Sequence, residues 1–157
     1  PASLRSLPAG SSLVLPSPNG STLSLATNGI PTFAACLRNA PQVAKRAAAR
    51  GRRIAVVPAG ERWDDGSLRY CVEDLIGAGA VLASLPGTRS PEAEIAIAAF
   101  REAGQGPRLA AMLSACSSGK ELIECGFPED VEMAAHYDSS SAVPVLAGDR
   151  FVHDFKD

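Results

Sequence analysis

Several residue types are scarce in this chain of 157 residues, and each scarcity excludes something. Aromatics make up 5%, with one Trp, two Tyr and five Phe, so the core has to be built from Ala, Val, Leu and Ile packed closely. Histidine occurs twice, and the four cysteines (Cys36, Cys71, Cys116 and Cys125) form no C-x-x-C pair. A zinc centre is therefore not expected, and three of the cysteines sit among apolar or small residues that read as core. Absence of a disulfide framework makes the cytoplasm the expected compartment. No apolar run approaches the roughly 18 residues of a membrane span, and no signal segment opens the chain. The 15 Lys+Arg nearly balance the 17 Asp+Glu, a net charge of −2. Such a chain lacks the basic footprint of a nucleic-acid binder, so an anionic ligand must be held by local Arg side chains and backbone N–H groups.

What is present is 46% hydrophobic sequence, enough at this length for one buried core. Apolar runs at Leu13–Leu15, Phe33–Leu37 and Ile54–Val57 read as strands. Between them, Val43, Ala44, Ala47 and Ala48 repeat at helical spacing and stop at Gly51, and a long helix is expected from a Ser67 cap through Leu85. Ser90-Pro91 is a helix start running to Ala103. Further helical patterns lie near Leu109–Ala115, Gly119–Glu124 and Glu129–Tyr137, and Pro144–Leu146 with Arg150–Val152 flank a Gly148-Asp149 turn as a hairpin. Strands alternating with helices argue for an α/β fold, a three-layer α/β/α arrangement with a mostly parallel or mixed sheet.

In such sheets ligands bind beyond the carboxyl ends of the strands, and three polar clusters fall there. Ser17-Pro18-Asn19-Gly20-Ser21-Thr22 follows the first strand. Its short donors and Gly20, which permits a left-handed or close-approach backbone, suit a phosphate loop, and an ordinary Asn-Gly turn capped by serines is the alternative. Arg38-Asn39 follows the second strand; a guanidinium matches phosphate or sulfonate oxygens, and a surface Arg at a helix end is the alternative. Glu61-Arg62-Trp63 follows the third, offering a metal ligand or base, an anion holder and a pocket wall, against an exposed salt bridge beside a packed Trp. Asp64 and Asp65 read as turn residues before Gly66. Glu73 and Asp74 lie within the long helix; one carboxylate facing the strand ends would help hold Mg²⁺, and Asp74 is favoured. Ser117-Ser118-Gly119-Lys120 lacks the spacing of a nucleotide loop and reads as an N-cap with Glu121 near the third helical position. His136 and His153 are isolated.

Seven segments in order, SPNGST, CLRNA (36–40), AGERW (59–63), EDLIGAGA (73–80), SGKEL (118–122), GFPEDV (126–131) and DSSSAVPVL (138–146), resemble the 2-phosphosulfolactate phosphatase family. The resemblance implies a Mg²⁺-dependent phosphoric monoester hydrolase converting 2-phospho-3-sulfolactate to sulfolactate and phosphate, a step of coenzyme M synthesis in methanogens. It also implies a further amino-terminal portion bearing Asp-x-x-Arg-Ala-Thr-Thr-like and Gly-Asn-Ser-Pro-like segments. Residues 1–157 then read as a single α/β domain, the carboxyl-terminal two-thirds of a longer phosphatase. On this reading Ser17, Asn19, Gly20, Ser21, Arg38, Asn39 and Arg62 bind the small phosphorylated, sulfonated acid, while Glu61 and Asp74 are catalytic and place Mg²⁺. The partners expected are that acid and the amino-terminal portion, with no nucleic acid and no membrane, and a homo-oligomer is left open. The alternatives are a non-catalytic anion-binding module and a phosphomonoesterase of other specificity.

Overall fold

A computed structural model describes residues 4, 6–8, 10–15 and 18–154. Its elements run α1 (Pro18–Leu25), α2 (Ala40–Arg50), β1 (Glu61–Arg62), β2 (Leu68–Arg69), α3 (Val72–Ser84), α4 (Pro91–Ala103), α5 (Pro107–Ala115), α6 (Ser117–Glu124), α7 (Pro128–Ala134), β3 (Pro144–Ala147) and β4 (Arg150–His153). Both sheets among the described residues are two-stranded and antiparallel, β1 with β2 and β3 with β4. The three-layer arrangement with a mostly parallel or mixed sheet is thus not seen among these residues.

The core is helical. Leu37, Ala40 and Ala44 meet Ile76, Ala80 and Val81 of α3, Phe100 and Ala103 of α4, Leu109 and Leu113 of α5, and Val131 of α7. Small residues let α3 and α4 approach closely: a Cβ on Gly79 would lie 2.0 Å from the Ala96 carbonyl oxygen. Phe100 adds one of the few aromatic contacts, its ring 5.2 Å from that of Tyr137. Local signals placed most helices. The Ser90 hydroxyl accepts from the Ala93 N–H, Pro91 occupies the first turn, and Gly104, with φ 71°, closes α4. The 144–152 hairpin forms in the expected register, Ala147 opposite Arg150.

The expected strands behave differently. Leu13–Leu15 and Ile54–Val57 belong to no sheet, and Val14 and Val57 are 92% and 65% exposed. Phe33–Leu37 contributes one bridge, from Phe33 to Val145. Among the described residues no hydrogen bond reaches Arg52 through Ala59. Their composition suits a strand, but a strand needs a neighbour to pair its backbone groups, and among the described residues none bonds to them.

The long helix starts later than Ser67. Ser67 instead donates its hydroxyl and N–H to Asp65 at 2.6 and 2.8 Å, closing the β1–β2 turn, and Cys71 takes the N-cap position of α3. Leu68 and Val72, which at helical spacing read as part of the buried stripe of that helix with Leu75, Ile76, Ala80 and Val81, are consequently exposed. Ser117 and Ser118 likewise do not cap α6; the Cys116 sulfur accepts from the Gly119 N–H. Of the cysteines only Cys71 is buried, with Cys116 half-buried and Cys36 and Cys125 exposed, so the core reading holds for fewer than expected. No helix among the described residues is long and apolar enough to cross a membrane.

Candidate functional site

Two of the three polar clusters converge. The Asn19 side-chain amide donates to the Gly60 carbonyl at 2.9 Å, and its oxygen accepts from Arg62 Nε at 3.0 Å. Asp74, in the first turn of α3, accepts the Gly60 N–H at 2.6 Å. Gly60 is thus gripped from both sides, by Asn19 through its carbonyl and by Asp74 through its N–H. Its φ of 65° disfavours any side chain, and a Cβ there would lie only 3.2 Å from the Arg69 carbonyl oxygen, so glycine is the residue that fits. Arg62 is also held by Nη1 donating to the Gly66 carbonyl at 2.7 Å. Its Nη2 has no acceptor among the described residues.

The Ser17–Thr22 segment is less a loop than a helix start. Ser17 lies outside the described residues, and Asn19 and Gly20 stand in the first turn of α1. Gly20, which permits a left-handed or close-approach backbone, does not use the left-handed conformation here. Its carbonyl accepts the Ser24 hydroxyl at 2.6 Å, an ordinary helical back-bond. Ser21 is exposed on the same helix.

Burial raises the Asp74 pKa above the ordinary carboxylate value. The Gly60 N–H opposes that rise, and the neighbouring charges of Glu73 and Glu61 add to it. Glu73, the adjacent residue, faces elsewhere and accepts from the Cys116 thiol at 3.7 Å. Burial, followed by the charge of Glu73 among other contributions, raises the pKa of both Cys71 and Cys116, the reverse of what a thiolate nucleophile requires. Glu61 is exposed in β1, directly opposite Arg69 of β2. Trp63 is 55% exposed and stacks under the Arg69 guanidinium, 5.0 Å from the ring centre, instead of walling a closed pocket.

Arg38 and Asn39 join a different neighbourhood. Arg38 Nε donates to the Ser139 hydroxyl at 3.2 Å, and the Arg38 carbonyl accepts the Ser140 N–H at 2.9 Å. Asn39 is 6% exposed and spent on structure: its oxygen accepts the Cys36 N–H at 2.8 Å, and its amide donates to the Ala142 carbonyl at 3.0 Å and, more weakly, to Ala34. Its position as N-cap of α2 therefore involves the backbone, with no side-chain cap bond. Sequence reasoning passed over Arg69 and read Glu121 only as part of a helix cap; the two form an ion pair at 2.6 Å. The signal that would have found Arg69 is the Asp-Asp-Gly-Ser turn, which folds it back beside Glu61.

The converged cluster brings one guanidinium and one carboxylate to the same turn. It holds a fixed guanidinium with an open edge and one desolvated carboxylate, Asp74, and neither Arg62 nor Asp74 belongs to any ion pair among the described residues. Such a combination is chemically able to hold an oxyanion. The family model for 2-phosphosulpholactate phosphatase matches residues 2–149. The chain belongs to that family, which accords with an α/β fold. No curated protein is similar enough to the chain to count as a match.

Proposed function

We propose that this chain hydrolyses 2-phospho-3-sulfolactate, or a related small phosphorylated acid, at the Asn19–Gly60–Arg62–Asp74 cluster. Membership of a phosphatase family supports the reaction class. The observation that carries the location is Arg62, oriented through Nε and Nη1 with Nη2 left open to a ligand oxygen. Asn19 is the orienting partner, and Arg62 binds the phosphoryl group as its charge develops.

Mg²⁺ fits the donor set in a limited way. Among the described residues no three His, Cys, Asp or Glu side chains are grouped to hold an ion. Asp74, however, is desolvated in the field of Glu61 and Glu73, a repulsion that a cation relieves. Mg²⁺ commonly takes one or two carboxylates and completes its shell with water and phosphate, so Asp74 and Glu61 would hold it. Bound there, it would supply charge neutralisation and a more acidic water. Asp74 meanwhile fixes the Gly60 backbone, and with it the start of the hairpin that carries Glu61 and Arg62.

The same reading has Leu13–Leu15, Phe33–Leu37 and Ile54–Val57 completing a three-layer sheet with strands from the amino-terminal portion that the resemblance assigns to the family. A second reading, an anion-binding module without turnover of its own, is favoured by the backbone of Arg52–Ala59, which has no hydrogen-bond partner among the described residues. The deciding experiment is phosphate release from 2-phospho-3-sulfolactate with Mg²⁺ or with EDTA, alongside calorimetric binding of inorganic phosphate. Arg62→Ala and Asp74→Ala are expected to lose at least about a hundredfold in kcat/KM. Phosphate binding without release supports the module, and undiminished activity in both variants removes the cluster from consideration.

A further inference from the structure

A cleft of about 470 Å³ opens between the turn after α1, strand β3 and the end of α2, and it shares no residue with the Asn19–Gly60–Arg62–Asp74 cluster. That volume lies within the roughly 300–1,000 Å³ of small-molecule pockets. Backbone pairing sets its shape. The Ile30 N–H donates to the Thr27 carbonyl at 3.1 Å, closing a turn in which Asn28 and Gly29 have φ of 50° and 83°. Asn and Gly are the residue types that tolerate such a turn. The chain then runs onto β3, where the Leu146 N–H donates to the Thr32 carbonyl at 2.8 Å and the Ala34 N–H to the Pro144 carbonyl at 3.1 Å.

The lining has two halves. Ile30, Pro31, Val145 and Leu146 form an apolar side, and Ile30 is 69% exposed, so a hydrocarbon laid there removes apolar surface from water. Arg50 and Asn28 form a polar side. Arg50 Nη2 donates to Asp154 at 2.9 Å, and its Nε and Nη1 have no acceptor among the described residues. A guanidinium carries five N–H donors, so most of that fork is unused. Arg46 Nε lies 3.5 Å from the same Asp154 oxygen, so two guanidinia share one carboxylate and a positive charge is left over. Asp149, in the hairpin turn beside the lining Gly148, is followed by Arg150 and adds no net charge. The Asn28 side chain has no hydrogen-bond partner among the described residues.

We propose that this cleft binds an apolar carboxylic acid, its head on the unused part of the Arg50 fork and its hydrocarbon over Ile30, Pro31, Val145 and Leu146. One surplus guanidinium suits one planar monoanion taken through both oxygens, whereas a phosphate dianion calls for a second cation. Asn28 adds a neutral amide donor on the same side. Binding here does not require the Arg62 cluster to be catalytic.

Three probes test it, with the backbone N–H signals of the isotope-labelled protein followed by NMR: 3-phenylpropionate, its uncharged analogue 3-phenylpropionamide, and acetate, which has the head without the hydrocarbon. 3-Phenylpropionate should shift the signals of residues 27–30 and 145–148 saturably and bind about tenfold more tightly than the uncharged analogue, while acetate should not saturate. Arg50→Gln should abolish that preference and leave the uncharged analogue within about twofold. Asn28→Asp keeps a residue type that tolerates positive φ and sets a negative charge beside the head. It should weaken 3-phenylpropionate severalfold and spare the analogue, and it decides the matter if Arg50→Gln does not fold. Equal binding of acid and analogue, shifts centred elsewhere, no saturable binding, or a preference that survives Arg50→Gln overturns the assignment.

Discussion

Helix α3 carries Asp74 in its first turn, so whatever fixes α3 against α4 also fixes the site, and one glycine is the tightest point of that contact. On Gly79 a Cβ would lie 2.0 Å from the Ala96 oxygen, 2.7 Å from the Ala96 carbonyl carbon and 2.8 Å from Phe100 Cβ. The first two are backbone atoms and cannot rotate aside. To reach ordinary contact the helices must part by roughly 1.5 Å. Overpacking of this kind costs about 1–3 kcal/mol, and a backbone obstacle puts Gly79→Ala at the upper end. The better helix propensity of Ala returns up to about 1 kcal/mol, so the net loss is about 2 kcal/mol. Gly77 provides the control within the same helix: nothing lies within 4 Å of its added Cβ. Gly77→Ala should therefore stabilise by about 0.5–1 kcal/mol. Urea denaturation followed by circular dichroism gives both values, and phosphate release reports whether Asp74 has moved with α3. If the two variants shift stability in the same direction by similar amounts, the close packing of α3 on α4 is refuted.

Asp74→Asn tests the raised carboxyl pKa. Because the folded value lies above the unfolded value near 3.8, wild-type stability falls as pH rises through the interval between them; the variant should match it at lower pH and exceed it above that interval. Thermal midpoints across pH measure this, and an advantage that shrinks toward neutrality contradicts it. Asn39→Ala removes the polar atoms that bond Cys36, Ala142 and Ala34, and should cost about 2 kcal/mol in denaturant titrations, whereas Arg38→Ala should stay within about 0.5 kcal/mol. Equal effects would make Asn39 a ligand-binding candidate again. Ellman's reagent should label the exposed Cys36 and Cys125 quickly and reach Cys71 only on unfolding. Fast labelling of Cys71 is inconsistent with its burial.

The helices were legible because their signals are local. Ser90-Pro91 and Gly104 bound α4 through contacts within four residues, and the Gly148-Asp149 turn set the β3–β4 hairpin. Strand assignment failed to carry over to sheets for the opposite reason: the composition of Ile54–Val57 specifies an extended chain, but pairing depends on a neighbour far off in sequence. The site divides along the same line. Nothing local in Asn19 indicates that it reaches Gly60, 41 residues away, or that Arg38 turns instead to Ser139, 101 residues on. Asp74 was separable from Glu73 because adjacent helical positions diverge, and they do: one carboxylate meets Gly60, the other Cys116.

Charge pairing separates the converged cluster from the rest of the surface. Where opposite charges hold the fold together they meet directly, as Arg50 and Arg46 do on the buried Asp154, fastening the end of β4 to α2. Arg62, through Asn19, and Asp74 converge on one glycine and yet are bonded to neutral groups, an amide and a carbonyl in one case and a backbone N–H in the other. A guanidinium and a desolvated carboxylate kept apart in this way each retain unspent charge, which a purely structural arrangement would have neutralised. A ligand that brings anionic oxygens to Arg62, accompanied by a cation for Asp74 and Glu61, satisfies both at once. A simple anion satisfies only the first and leaves the acidic side repelling it. On this argument phosphate affinity depends on Mg²⁺ concentration, and the dependence disappears in Asp74→Asn while that variant remains folded.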